Sequence, residues 1–272
     1  MKKKFLFLSS LIIVVAVAFF CLFGLPQEAK AARMGYYFYS VTDGNATIYD
    51  CDTSIIGDVT IPDTLDGYPV TGITGQYIGY SSPLIWSGAF SNCTRLTSIT
   101  IPDSVTIIDN AAFNNCTGLT NVNFNATNCT TKGPIFSGCD NLSTVNVGDN
   151  VTNIPAVAFR NCTGLASVTI GNSVESIGNY AFADCTKLTS ITIPDGVTSI
   201  NNGAFRNCSS LTSITIPDSV TSIGDSTFSN CTGLLEVWYG CMYPKVDLCI
   251  GSDDYNLINA TWHYSVCEDV DH

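Results

Sequence analysis

Phenylalanine recurs every 23 residues at Phe90, Phe113, Phe136, Phe159, Phe182, Phe205 and Phe228. Cysteine keeps the same step at Cys93, Cys116, Cys139, Cys162, Cys185, Cys208 and Cys231, and leucine keeps it from Leu96 to Leu234. A fixed period of roughly 20–50 residues is the signature of a solenoid, in which each repeat buries its apolar side against its neighbours. Few other folds accommodate such a chain.

One unit runs from Ser176 to Thr198. Ile177, Ala181, Cys185 and Leu188 fall at i, i+4, i+8 and i+11, which predicts a short helical segment. Ile191 and Ile193 then alternate with Ser190 and Thr192, the period of a strand with one face buried. Pro194 lacks an N–H and closes the strand, and Asp195-Gly196 supplies a turn. The expected fold is therefore an α/β solenoid. It has one short parallel strand per coil, helical or turn segments on the opposite side, and a cap at each end. Coils start at Ile85, Ile108, Thr131, Ile154, Ile177, Ile200 and Ile223, and Thr131, Asn128 and Gly133-Pro134 predict one irregular coil.

The ends read differently. Lys2, Lys3 and Lys4, an apolar run from Phe5 to Leu25, and Ala29-Lys30-Ala31 have the form of a secretory signal. The run is also long enough to span a bilayer, so a retained anchor is the rival reading. Pro26 and the small-x-small site favour cleavage. The expected organisation is a signal at 1–31 and an N-terminal cap and first turn at 32–84. The repeat array covers 85–240, and a C-terminal cap and tail 241–272. Cleavage after Ala31 would leave 7 basic against 22 acidic residues, a net charge of −15. That disfavours nucleic acid and anionic membrane surfaces, and a cleaved chain would not be membrane-embedded.

The motif Leu-x-x-Ile-x-Ile-Pro-x-x-Val-x-x-Ile-x-x-x-Ala-Phe-x-x-Cys is carried by Leu188 to Cys208, and by Leu211 to Cys231 with Thr227 in place of Ala. It resembles the bacterial BspA-type leucine-rich repeat. Asp58 to Ile73 resembles that family's first turn, and Ile250-Gly-Ser with Asn259 to Tyr264 resembles its C-terminal cap. The resemblance implies a secreted or surface-displayed protein, and a family with members that bind host extracellular proteins. One coil departs from it. Twelve extra residues lie within Thr74 to Gly88, among them Tyr77, Tyr80 and Trp86. Aromatic residues on a loop serve as binding anchors, or they fold back over the end of the core; the second reading comes first.

Chemistry beyond binding finds little support. In-register neighbours about 4.8 Å apart are too far for a disulfide, so the seven periodic cysteines are expected to be free and buried. Among the off-ladder cysteines, Cys241, Cys249 and Cys267 offer one disulfide whose pairing spacing does not decide. Zinc would need paired CxxC or histidine spacing, and the two histidines, His263 and His272, carry no catalytic motif. No metal, no cofactor and no enzymatic activity is expected. Sequons such as Asn92-Cys-Thr94, Asn161-Cys-Thr163 and Asn230-Cys-Thr232 recur with the turn and read as structural.

With Leu188, Ile191 and Ile193 inward, two outward rows follow. One is Ser98, Asn121, Thr144, Ser167, Ser190, Ser213 and Glu236; the other is Thr100, Asn123, Asn146, Thr169, Thr192, Thr215 and Trp238. These rows, with Tyr77, Tyr80 and Trp86, are the candidate ligand-binding residues. The expected function is an adhesin-like extracellular scaffold that binds protein or glycan. A cell-surface spacer without a dedicated ligand is the alternative. Ice binding through Ser-x-Thr rows is a third class that ordinary solvated strands already explain.

Overall fold

The computed structural model describes residues 30–77, 86–240, 249–250 and 259–264. The chain winds into a β-solenoid with a 23-residue step. Strands Leu96–Ile101, Asn121–Phe124, Thr144–Val147 and Ser167–Thr169 lie parallel and in register, preceded by Gly57–Thr60. Ser190–Thr192, Ser213–Ile216, Glu236–Tyr239 and Thr261–Tyr264 continue the same side as a second parallel sheet. The ladder is interrupted between Ser167–Thr169 and Ser190–Thr192. A second edge of the coil is lined by two-residue strands at Asn153, Ser176, Ser199, Ser222 and Cys249, again in parallel register.

The expected helical segments are absent from the described repeats, where tight turns take their place. The backbone bonds give the reason. Ala181 N–H and Ala183 N–H donate three residues back to Gly178 and Tyr180, at 3.2 and 3.3 Å. Between them, Tyr180, Phe182 and Asp184 donate to Asn202, Ala204 and Arg206 of the next coil, at 2.9, 2.8 and 2.7 Å. A helix would keep all of these donors within the segment; here alternate ones tie coils together. The geometry needs left-handed backbone at Tyr180 (φ 54) and Asp184 (φ 65), which an α-helix excludes. The second of these places is filled in successive coils by Asn92, Asn115, Gly138, Asn161, Asp184, Asn207 and Asn230, residue types that tolerate it. The periodic sequons at Asn92, Asn161 and Asn230 are explained by this: each of these asparagines is a turn residue. Asn115, Asn207 and Asn230 also donate to Asn92, Asp184 and Asn207 at 3.4, 2.6 and 2.9 Å, so the turns form an amide ladder.

The core is a set of columns. All seven periodic phenylalanines and leucines and all seven periodic cysteines are buried. Successive phenyl rings stack with centroids 4.7–5.7 Å apart and planes within 20°. The register of the coils imposes this parallel stacking. Thr227, which stands where the repeat favours alanine, is buried with its hydroxyl 2.7 Å from Gly224 O and 3.0 Å from Asn201 O. Its polar group is thereby satisfied. The coil at Thr131 is irregular, as expected. Strand pairing on its edge stops at Thr130–Thr131, and Thr152 N–H reaches back to Thr127 O at 3.3 Å.

At the N-terminal end Lys30–Met34, Tyr37–Thr42 and Asn45–Cys51 form an antiparallel cap. Its second turn is built on Asp43 and Gly44, both at positive φ, as a two-residue hairpin requires. The last cap strand pairs parallel with Tyr68–Ile73 and so passes the chain into the coils. The expected cleavage point after Ala31 lies within the first cap strand. At the other end Cys249–Ile250 and Thr261–Tyr264 add one rung to each edge.

The left-handed turn gives a direct test. Asn207→Ala loses two ladder bonds and puts a residue less tolerant of left-handed backbone at φ 61, and should cost about 1–3 kcal/mol. Asn207→Gly keeps the backbone easy and should cost about 1 kcal/mol less. Urea unfolding of the two variants measures the difference.

Candidate functional site

The strand side places both predicted rows in register. Ser98, Asn121, Thr144 and Ser167 are aligned, as are Thr100, Asn123, Asn146 and Thr169. Beyond the interruption, Ser190, Ser213 and Glu236 align with one another, and Thr192, Thr215 and Trp238 do likewise. Two residues that sequence spacing missed extend the rows at the front, Asp58 beside Ser98 and Thr60 beside Thr100. The signal was present in Val59, Ile61 and Pro62, which repeat the Ile-x-Ile-Pro pattern across an inserted coil. At the far end Thr261 and His263 follow Glu236 and Trp238.

The two halves of this face differ in chemistry. In the first half the side chains bond one another. Asn121 Nδ2 donates to Ser98 Oγ at 3.1 Å, Asn123 Nδ2 to Thr100 Oγ1 at 3.0 Å, and Asn146 Nδ2 to Asn123 Oδ1 at 3.0 Å. Ser98, Thr100, Asn121, Asn123, Thr144 and Asn146 are all half-buried. In the second half Ser167, Thr169, Ser190, Thr192, Thr215, Glu236 and Trp238 are exposed, and Ser213 is half-buried. Leu235 and Trp238 are large apolar groups left open to solvent, 66% and 47% exposed. Trp238 stacks on His263, ring centroids 4.2 Å apart at 17°.

One margin of the face is acidic. Asp63, Asp103 and Asp149, in the turns that follow the strands, line a shallow groove of about 290 Å³ together with Thr60, Thr100 and Asn125. Asp195 and Asp218 continue that margin towards Trp238. Among the described residues no group of three or more histidine, cysteine or carboxylate side chains is arranged to hold a metal ion.

The insert residues take another place. Gly75–Tyr77 and Trp86–Gly88 pair antiparallel, with Tyr77 opposite Trp86. Tyr80 lies outside the described residues. So do Cys241 and Cys267, two of the three cysteines considered for a cap disulfide.

The periodic cysteines are free thiols, and five of them make the same contact. Cys116, Cys139, Cys185, Cys208 and Cys231 donate to the carbonyls of Phe90, Phe113, Phe159, Phe182 and Phe205, at 3.0–3.3 Å. Cys51, which stands off the period, is also a buried free thiol, and it donates to Asp52 O at 3.7 Å. Burial pushes the Cys162 and Cys185 thiols well up from the ordinary range. Protons are held in the folded state that the unfolded chain releases above about pH 8.5. Stability is therefore full below that pH and falls as pH rises, by about 1.4 kcal/mol per pH unit for each thiol still protonated. Urea midpoints at pH 7.5 and 9.5 should show this loss, and the Cys162→Ala/Cys185→Ala double variant should lose less between the two.

Comparison with known proteins identifies a family. The model of the BspA type leucine rich repeat region matches residues 83–175 and 152–241, in six copies, which is more than half of the chain. The chain belongs to the BspA-type leucine-rich repeat family. Among solved structures it is similar to a leucine-rich repeat protein of T. pallidum, with 22% identity and TM-score 0.49, over 87% of this chain and 98% of that one. A leucine-rich repeat protein of Bacteroides ovatus shares 21% identity with TM-score 0.44, over 89% of this chain and 71% of that one. A leucine-rich cell-surface protein of Faecalibacterium prausnitzii shares 25% identity with TM-score 0.34, over 79% and 76%. No curated protein matches the sequence. The chain is thus a BspA-type repeat scaffold, with two registered rows on one side and an aromatic pair at their end.

Proposed function

We propose that this BspA-type scaffold is exported and binds an extracellular protein or glycan with the second half of its strand face, without catalysing a reaction. The observation that carries this is the contrast between the two halves. In the first, three asparagine amides bond neighbouring hydroxyl or amide groups and the row residues from Ser98 to Asn146 are half-buried; the second leaves Thr169, Ser190, Thr192 and Thr215 open beside an exposed Trp238. Short hydroxyl side chains lose little entropy on binding, and an exposed tryptophan is a common anchor. Export rests on the lysine-rich start and on Ala29-Lys30-Ala31. A pure spacer would have no reason to differ between its halves, so binding is preferred to that alternative.

Capture from mucus or matrix extracts on the mature protein tests the reading. The protein should enrich a defined partner, and Thr169→Arg with Thr192→Arg should reduce capture at least tenfold while the melting temperature stays within about 2 °C. Enrichment of nothing would favour the spacer. N-terminal sequencing of exported material should begin at or near Ala32; a chain that starts at Met1 and stays with membranes would favour the anchor.

A further inference from the structure

Trp238 stands in register with Thr215 before it and His263 after it. The imidazole of His263 covers one face of the indole at 4.2 Å. Trp238 still exposes 47% of its surface. The open part includes the opposite face, towards Thr215, because a threonine is too short to cover an indole. On that side the outward residues Thr192, Ser213 and Thr215 are short hydroxyls. Glu236 is exposed and points out from the same strand side as Trp238. An aromatic wall therefore ends a hydroxyl floor, with one carboxylate at its foot.

We propose that this step binds a neutral sugar, a β-linked pyranose whose ring hydroxyls are all equatorial. The proposal rests on the reading of the strand face as a binding surface and names its ligand. Rungs of a parallel sheet are about 4.8 Å apart, so a ring lying on the Thr215 rung meets the indole at stacking distance. It takes on that side the place that His263 takes on the other. An aromatic face is electronegative and attracts polarised C–H groups. An all-equatorial pyranose presents only C–H on its two faces and carries its hydroxyls in the ring plane. With the ring parallel to the indole, that hydroxyl edge meets Ser213 and Thr215, which both donate and accept, and Glu236, which accepts.

Charge selects among sugars. The chain carries a formal net charge of −12, Glu236 is at the site, and Asp195 and Asp218 lie along the margin. Uronic, sialylated and sulfated sugars are repelled. A basic peptide, whose guanidinium would also stack on tryptophan, is the competitor. The floor favours the sugar, since it offers a row of hydroxyls and only one carboxylate.

Titration with the β1,4-linked glucose tetramer, followed by the indole N–H resonance of Trp238 in the full chain, is the test. The resonance is assigned with Trp238→Phe. A saturable shift is expected, and isothermal titration calorimetry, which does not depend on the indole, should show about tenfold weaker binding in Trp238→Ala and an intermediate loss in Trp238→Phe. Lys187→Ala, in an exposed turn outside both rows, should leave binding unchanged. The galacturonic acid tetramer should give no shift. The proposal is overturned by no shift up to about 10 mM glucose tetramer, by equal binding in Trp238→Ala, or by a shift seen only with a triarginine peptide. If that happens while extract capture remains sensitive to Thr169→Arg and Thr192→Arg, the wider binding reading stands with another ligand. If capture is absent too, both readings fall.

Discussion

Five coils are tied to the next through the carbonyl of a phenylalanine. Phe182 O accepts the N–H of Cys185 in its own turn and the S–H of Cys208 in the next coil, both at 3.3 Å. The Phe182 N–H meanwhile donates forward to Ala204 O at 2.8 Å. A buried carbonyl with two lone pairs is thus satisfied once by the turn that closes a coil and once by the coil that stacks on it. The second bond reaches its partner only if the next cysteine comes a fixed number of residues later. The phenyl columns, the leucine column and the strand ladder all inherit that spacing. A thiol is a weak donor, and it suits this place because it is also a small apolar group that fills the core.

Much of this was legible in the sequence, and the failure at the turns is informative. Alternation at Ser190–Ile193 gave the strands, and the period of 23 gave their register and the outward rows. Ile177, Ala181, Cys185 and Leu188 have helical spacing, yet successive tight turns that face one core generate the same spacing. The discriminating signal was the residue at the second left-handed place, Asn, Asp or Gly in every coil from Asn92 to Asn230. Tyr180 and Val157 gave no such warning, because neither residue type favours positive φ.

The site was half legible. Row membership followed from the period, but which rows are free did not. That Asn121, Asn123 and Asn146 bond back along the ladder depends on side-chain reach across neighbouring strands. The contact of Trp238 with His263 was hidden for a different reason. The cap returns to the face after 25 residues instead of 23, so the repeat rule does not find it. Asp58 and Thr60 were missed in the same way, across the longer gap made by the insert. Departures from the period are where the array acquires individual features, and here they frame the two ends of the face.

A coil of 23 residues is the interchangeable unit, because its bonds run only to its neighbours. Deleting residues 177–199 joins Ser176 to Ile200 in the same register, and urea unfolding of that chain is the most direct measurement. A cooperative transition at a lower midpoint is expected, with native-like strand content and all remaining periodic thiols unreactive before unfolding. Deleting only residues 177–187 breaks the register and should abolish the transition. If the 23-residue deletion unfolded the chain as completely as the shorter one, the account of the fold would be contradicted.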